Sequence, residues 1–357
     1  MNADDQQLRQ SLARLLSEAG HGKQWTDAVA QVPRHTFVPT YFYQDGGQWA
    51  EVTSASPGYL EAVYANRALT TQIKEDEPTS SSSEPGLMLT MLDALDAEPG
   101  HRVLEVGTGT GYNAALLSQV LGDTQVTTVD VDPELTTDAE RRLNQAGFRP
   151  SVLTGDGALG APQRAPFDRI IATCGMQSVP PAWVEQAADG AVMIIPIGWG
   201  LARVTVDGGK ATGRFLDNGA YFMARRTGRV RPRFDELDEQ SSTTTDLDGP
   251  EALVRLEFPL GLALPGSRTC SWTGSDGSVS AVGIWTPDGS TATAGRDGSV
   301  RQVGPRRLWD VVEKLNEQFT TAPIREDFGL TVTPERQWTW WKSEETGWDV
   351  PNDYFAE

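Results

Sequence analysis

Short apolar runs alternate with helix-like stretches through the middle of the chain. The apolar runs occupy residues 103–106, 126–132, 167–173 and 191–196. Each has the length of one buried strand, and the stretches between them have room for a helix and a turn. We therefore predict an α/β fold over residues 57–232, with a doubly wound parallel sheet and helices on both faces.

The N-terminal residues 1–56 are predicted to be mainly helical. Leucines recur at helical spacing over residues 7–19, and a proline-bracketed connector follows at residues 32–39. Farther along, residues 201–227 alternate apolar and polar side chains around an Asp-Gly-Gly turn at 207–209. That pattern favours an antiparallel hairpin at the end of the sheet.

The composition changes after the hairpin. Residues 233–250 are acidic, rich in Ser and Thr and almost free of large apolar side chains, which predicts a linker or mobile loop. Residues 251–357 carry 7 of the 11 Trp and are predicted to form an α+β domain, with paired strands at 279–285 and 290–294 and a helix at 309–319. These aromatics either cap the main sheet or form a peptide-recognition surface; we expect substrate recognition.

Charge and cysteine content narrow the class of protein. A formal net charge of −19 argues against binding a nucleic-acid backbone, although it leaves room for a basic peptide partner. The two Cys and three His fit neither a disulfide scaffold nor a metal cluster, so no metal is expected. No apolar run approaches the roughly 20 residues of a membrane span, and no signal-peptide pattern is visible. A cytoplasmic enzyme is expected.

A glycine-rich turn follows the first apolar run. Gly107, Gly109 and Gly111 alternate with threonines, and a helix is predicted from Tyr112. Glycines are needed where a strand turns sharply into a helix and where a ligand must contact the backbone. NAD-binding folds share this pattern, but Glu105 precedes the turn, where a carboxylate can meet a cation. The combination favours S-adenosylmethionine (SAM), with its positive amino and sulfonium groups, over an ordinary structural turn.

Two further acidic residues follow later strands. Asp130 lies at the carboxyl end of the second apolar run, roughly 20 residues past the glycines, where a carboxylate can bind both ribose hydroxyls of an adenosine ligand. Asp156 lies in an Asp-Gly pair after a third strand and is placed to contact the adenine; the alternative is an ordinary turn residue. Asp132 precedes Pro133 and is better explained as the N-cap of a helix.

Over roughly residues 20–230 the chain resembles the protein-L-isoaspartate O-methyltransferases. The similar segments, in family order, are PRHTFVP, YLEAVYANRAL (with Asn66 where an Asp is usual), VLEVGTGTGYNAALL, TGDGALG and APFDRIIATCGMQSVPPAWVEQ. The resemblance implies a Rossmann-like class I SAM-dependent methyltransferase sheet with SAM above the strand ends. It also implies as cofactor contacts Glu105, Gly107, Thr108, Gly109, Gly111, Asp130, Asp156 and Gly157.

The substrate loop departs from that family's pattern, which reads Ser-Ala-Pro-His. Residues 79–86 read TSSSSEPG, which places Ser83 on the family's hydroxyl residue and Gly86 on its His. A serine-rich loop with an added C-terminal domain resembles an actinobacterial branch of the family, and residues 327–341 are also similar to it. Members of that branch methylate an aspartate in a ribosomally made, usually macrocyclic peptide, and the ester closes to an aspartimide. The alternative interpretation of the serines is a flexible linker.

These patterns predict a SAM-dependent carboxyl O-methyltransferase that acts on a precursor peptide. A carboxylate is ionised at neutral pH and needs no general base. Serine hydroxyls can orient it without adding a repelling charge, so Ser83, with Ser82 and Ser81 beside it, is the predicted acceptor-site residue. Isoaspartyl repair is the second hypothesis, and a SAM-binding module without turnover is the third.

Overall fold

The computed structural model describes residues 3–223, 232–274 and 276–350. The chain divides into unit 1 (Met1–Cys174, Pro180–Ile195 and Arg203–Ala211) and unit 2 (Gly175–Val179, Pro196–Ala202 and Thr212–Glu357). The helices are α1 (Ala3–Glu18), α2 (Lys23–Gln31), α3 (Arg34–Phe37), α4 (Tyr59–Val63), α5 (Pro85–Leu95), α6 (Tyr112–Leu121), α7 (Pro133–Ala146), α8 (Pro181–Glu185), α9 (Gly249–Ala263) and α10 (Leu308–Gln318). The strands are β1 (Thr40–Asp45), β2 (Gln48–Thr53), β3 (Leu69–Lys74), β4 (Glu77–Ser82), β5 (Val103–Val106), β6 (Val126–Asp130), β7 (Ser151–Thr154), β8 (Phe167–Ala172), β9 (Ala187–Ile197), β10 (Gly200–Asp207), β11 (Lys210–Gly219), β12 (Thr243–Thr244), β13 (Arg268–Thr273), β14 (Val279–Trp285), β15 (Thr291–Gly295), β16 (Ser299–Val303), β17 (Phe328–Val332), β18 (Gln337–Trp341) and β19 (Ser343–Asp349).

A parallel sheet in the order β9-β8-β5-β6-β7 forms the centre of unit 1, which confirms the α/β prediction. All four residues of β5 are buried, as expected for a parallel strand with both faces covered. Helix α5 packs on β8, α6 on β6, and α7 on β6 and β7. The chain runs outward from β5 to β7 and then returns to β8, so the direction of winding reverses between β5 and β8.

Local sequence accounts for the boundaries of α7. The Asp132 side chain accepts a hydrogen bond from the backbone N–H of Glu134, and Pro133 occupies the first helical position. Gly147 ends the helix with a φ of 93°, a left-handed conformation that glycine adopts at little cost. The predicted N-cap role of Asp132 is confirmed.

A second sheet in unit 1, in the order β2-β1-β3-β4, departs from the prediction of a mainly helical N-terminal region. The helices of the first 56 residues end at Phe37, and residues 40–53 form an antiparallel hairpin. Gly46 and Gly47 occupy its two-residue turn with φ values of 56° and 84°, the conformation that a tight hairpin needs. The Gly-Gly pair between aromatic, alternating segments is the signal that the helical prediction overlooked.

Unit 2 contains an antiparallel sheet in the order β12-β16-β15-β14-β13. The predicted pairing of two strands around residues 279–294 is confirmed, because Trp285 of β14 lies opposite Thr291 of β15. Helix α10 is confirmed as well; its predicted apolar face (Leu308, Val312, Leu315) and Phe319 just beyond the helix are buried.

Residues 233–250 are structured rather than a linker or mobile loop. They contain a 3₁₀ helix (Phe234–Glu239), strand β12, which pairs with β16, and the Asp248 N-cap of α9. Two of the few apolar side chains in the segment explain the difference, because both are anchored. Leu237 is buried, and Phe234 packs edge-on against Trp272 and Trp285.

Strands β17, β18 and β19 pair antiparallel in unit 2, and six aromatic side chains of this unit pack on one another. The packed group comprises Phe215, Phe258, Phe319, Phe328, Trp341 and Trp348. The predicted hairpin around 207–209 is present between β10 and β11, while its predicted end at residues 224–227 lies outside the described residues. Over the part of the chain that is described, no helix is long and apolar enough to cross a membrane.

Candidate active site

The parallel strands of unit 1 end level with one another. Val106 of β5 lies opposite Val129 of β6 and Ala172 of β8, and Asp130 lies opposite Thr154 of β7. Ligands of doubly wound sheets bind beyond the carboxyl ends of the strands, at the point where the winding reverses. The glycine turn after β5 and Asp130 at the end of β6 therefore meet at the edge where a ligand is expected.

The glycine turn is held by backbone hydrogen bonds and needs glycine. Gly107, Gly109 and Gly111 have φ values of 104°, 51° and 87°. The Gly107 N–H donates to the carbonyl of Val129 at 2.8 Å. A Cβ on Gly107 would lie 2.6 Å from Thr173 Oγ1, so a side chain there would displace the turn. The result is a glycine turn at the start of α6, which we call the cradle.

Asp130 is bonded to this cradle. Its Oδ2 accepts the N–H of Gly109 at 2.9 Å, and its Oδ1 accepts the N–H of Asp132 at 3.1 Å. Each carboxylate oxygen has a second lone pair, so these bonds leave capacity for ligand hydroxyls. The ribose role of Asp130 stays a prediction, and the geometry is compatible with it.

Glu105 lies beneath the glycine turn with no exposed surface. Thr128 Oγ1 donates to Oε2 and Asn113 Nδ2 donates to Oε1, each at 2.7 Å. The Thr128 hydroxyl is also 2.7 Å from that of Thr108 in the turn. Burial raises the pKa of Glu105 to about 7, despite these two hydrogen bonds. A direct contact between Glu105 and SAM stays a prediction; the structure shows a carboxylate coupled to the turn through Thr128.

The side chain of Asn113 shows that this part of the site could bind a cationic group. Its Oδ1 is buried and has no hydrogen-bond partner among the described residues. A buried acceptor without a donor is costly, and a cationic amino group would satisfy it. Together with the carboxylate of Glu105, it makes this end of the cradle suited to the amino-acid part of SAM.

Asp156 contacts its own turn. Its Oδ1 accepts the N–H of Ala158 at 3.0 Å, and the side chain is exposed. Gly157 is closely packed, since a Cβ there would lie 2.5 Å from Val106 Cγ1, and its carbonyl accepts the indole N–H of Trp183 at 2.8 Å. Asp156 therefore acts as a turn residue in this structure, and its contact with the adenine stays a prediction.

The serine segment is a strand and not a flexible linker. Strand β4 pairs antiparallel with β3, and it contains Ser80, Ser81 and Ser82. A Cβ built on Gly109 would lie 3.6 Å from Ser80 Oγ and 3.7 Å from the Ser81 carbonyl. Strand β4 therefore lies against the glycine turn. The hydroxyl of Ser82 is buried and accepts from Arg34, whereas Ser83, just beyond the strand, is half-buried.

Three departures from the family's pattern, two in the substrate motif and one at residue 66, meet in one hydrogen-bonded cluster. Glu84 and Gly86 stand where the pattern has Ala and His, and Asn66 stands where an Asp is usual. Asn66 Oδ1 accepts the N–H of Gly86 at 2.7 Å, and Asn66 Nδ2 donates to Glu84 Oε1 at 3.1 Å. Asn66 thereby satisfies one of the free N–H groups at the start of α5, which the side chain of Glu84 leaves uncapped. The cluster lies next to Ser83 in the sequence, because its member Glu84 is the following residue.

Comparison with known proteins shows the family of this chain. A family model described as "Protein-L-isoaspartate(D-aspartate) O-methyltransferase (PCMT)" matches residues 7–212. The chain belongs to this family. Its relatives include proteins named protein-L-isoaspartate O-methyltransferase from Methanopyrus kandleri, 36% identical over 56% of this chain and 81% of theirs, and from Dictyoglomus turgidum, 34% identical over 53% and 76%. A solved chain titled with the same enzyme name aligns with a TM-score of 0.57 at 22% identity, covering 92% of this chain and 97% of its own.

The PCMT chain is thus a SAM-dependent carboxyl O-methyltransferase with a class I methyltransferase fold, and SAM is its cofactor. SAM would be held by the cradle, by Asp130, and by the hydrogen-bond acceptors of Glu105 and Asn113. It would supply an electrophilic methyl group. The family model ends at residue 212, but the similarity of fold to the solved chain extends well beyond it. A C-terminal region is therefore not peculiar to this chain within the PCMT fold.

Proposed function

We propose that this PCMT protein methylates the side-chain carboxylate of an aspartate in a ribosomally made, macrocyclic peptide, and that the ester then closes to an aspartimide. The observation that carries the proposal is the cluster of Asn66, Glu84 and Gly86. It places an amide-bonded cluster next to Ser83 where the family motif has an imidazole, and this supports an acceptor site that differs from the family pattern beside Ser83.

The chemistry requires orientation more than acid–base catalysis. Bound SAM would supply an electrophilic methyl group to a carboxylate oxygen of the acceptor; its carbon–sulfur bond would break, which would give a methyl ester and S-adenosylhomocysteine. The nitrogen of the following residue then attacks the ester carbonyl, loses its proton and expels methoxide, which leaves as methanol. Strand β4 lies against the glycine turn and can hold the carboxylate in line with the methyl group, a proximity effect.

Isoaspartyl repair is the second candidate. It is favoured by the relatives, which are named protein-L-isoaspartate O-methyltransferase and cover more than half of this chain. The wide coverage of the solved chain also removes one argument against it, since an extended C-terminal region occurs in a structure titled with that activity. The two candidates differ in which carboxylate is presented to the methyl group.

A direct comparison of acceptors separates them. The purified protein is incubated with SAM and, in turn, with an isoaspartyl hexapeptide, its L-aspartyl twin, and the macrocyclic product of a precursor gene neighbouring its own. Mass spectrometry follows the gain of a methyl group and the later net loss of water. We expect the macrocycle to be modified much faster than either linear peptide. Preferential methylation of the isoaspartyl hexapeptide would establish repair instead.

A further inference from the structure

Arg34 occupies the interior between two segments of the acceptor site. It is the first residue of α3 and is wholly buried. Nη1 donates to the carbonyls of Val63 at 2.8 Å and Ala65 at 3.2 Å, and Nη2 donates to the carbonyl of Arg67 at 3.1 Å. These three carbonyls flank Asn66, so the guanidinium fixes the backbone from which Asn66 projects.

The same guanidinium holds the end of β4. Nη2 donates to the carbonyls of Ser82 at 3.2 Å and Ser83 at 3.0 Å, and Nε and Nη2 both approach Ser82 Oγ, at 3.3 and 3.2 Å. Its Cζ also lies 5.8 Å from the ring centre of Tyr112, the first residue of α6 after the glycine turn. One side chain therefore contacts both acceptor segments and the helix that follows the cofactor cradle.

A buried guanidinium with this many carbonyl partners has a specific geometric role. Arginine has five N–H donors in a rigid plane, whereas lysine has three on a compact ammonium, so only arginine can bond two separate backbone segments in fixed relative positions. Burial lowers the pKa of Arg34 to about 10, which leaves it charged at neutral pH. The free energy spent on burying this charge is offset by carbonyls of the acceptor segments.

We propose that Arg34 is the positioning residue of the acceptor site, setting where Ser83 and Asn66 stand relative to the cofactor cradle. The inference deepens the proposed function, because it assigns the alignment of the acceptor carboxylate to a residue that does not touch it. In the sequence, Arg34 is one residue of the PRHTFVP connector. Its role depends on contacts with residues 29 to 49 positions away.

The test compares Arg34→Lys with Arg169→Lys. Arg169 also donates to backbone carbonyls, those of Asp96 and Asp168, but it lies near the amino end of β8, away from the cradle. Hydrogen–deuterium exchange is measured first, because it needs no substrate. We expect faster exchange at residues 63–67 and 82–88 in Arg34→Lys and unchanged exchange there in Arg169→Lys. Unchanged exchange in Arg34→Lys would overturn the proposal.

Kinetics then separate positioning from general destabilisation. With whichever peptide the wild-type protein methylates, we expect Arg34→Lys to lower kcat at least tenfold while the Kd for SAM stays within about threefold. In Arg34→Ala, millimolar guanidinium should restore part of the rate, and methylammonium should not, because only the planar ion can bond both segments. A wild-type kcat in Arg34→Lys, a parallel loss of SAM binding, or equal effects of the two ions would refute the inference. If the wild type methylates neither aspartyl nor isoaspartyl peptides, the proposed function fails, and the exchange result still decides the role of Arg34.

Discussion

Replacing Glu105 with Gln tests the electrostatics beneath the cofactor cradle. Burial raises the pKa of this carboxyl from 4.5 to about 7. A folded-state pKa above the unfolded value means that the stability contribution is complete below about pH 4.5 and is lost as the pH rises through 7. At roughly 1.4 kcal/mol for each pKa unit, the rise from 4.5 to about 7 corresponds to about 3.5 kcal/mol over the whole titration.

The Gln variant lacks this titration, so its stability relative to the wild type should increase by up to about 3 kcal/mol between about pH 5 and about pH 8.5. The new amide can keep the hydrogen bond from Thr128. If the Asn113 amide flips by about 180°, its Oδ1 can accept a hydrogen bond from the new N–H₂ group. This oxygen has no partner among the described residues. Urea unfolding without SAM at the two pH values measures the change, with Glu98→Gln at an exposed site as the control.

The effect of Glu105→Gln on SAM affinity at high pH should be opposite in sign to its effect on stability. An ionised carboxylate under the turn favours a cationic ligand, so wild-type affinity should rise with pH through about 7, and Glu105→Gln should lower the affinity at about pH 8.5 and flatten its pH dependence. Calorimetry at both pH values provides the comparison. A stability difference that is the same at both pH values would show that Glu105 titrates normally and that the reasoning from burial fails.

Three further substitutions test the site. Asp130→Ala should weaken SAM binding by about 1–3 kcal/mol, because ligand hydroxyls lose their acceptor; unchanged affinity in calorimetry would remove Asp130 from the cofactor site. Ser83→Ala should lower the methylation rate more than SAM affinity, and wild-type turnover would show that its hydroxyl does not orient the acceptor. Gly86→His should cost at least about 1 kcal/mol more stability in the wild-type background than in Asn66→Ala, because it displaces the Asn66 amide from the Gly86 N–H. Additive effects in urea unfolding of the four proteins would contradict that coupling.

The pattern of apolar runs predicted the central sheet well, because parallel strands are buried on both faces and their sequences are therefore almost continuously apolar. Strand β5, the Asp132 cap and the face of α10 followed from local rules of this kind. The same rules overlooked the hairpin of residues 40–53, whose side chains are mostly half-buried or exposed. They also misassigned residues 233–250, where two anchored side chains matter more than the polar composition.

The acceptor site was predicted less completely, since its geometry depends on contacts distant in sequence. Strand β4 is rich in serine, a residue with no strand preference, and is ordered by pairing with β3 and by Arg34. The departures at residues 66 and 86 were each visible in the sequence. Their mutual contact, and the link of both segments to Arg34, required the fold.

The cluster of Asn66, Glu84 and Gly86 has a consequence for how such a site can evolve. A carboxylate at position 66 would stand beside Glu84, and a side chain at position 86 would force the residue 66 amide away from its two hydrogen bonds. Restoring the family's Asp at position 66 while Glu84 is present, or its His at position 86 while Asn66 is present, is therefore expected to lower the stability of the protein. The three positions are coupled through Asn66, so the order in which they change determines whether each intermediate sequence is stable.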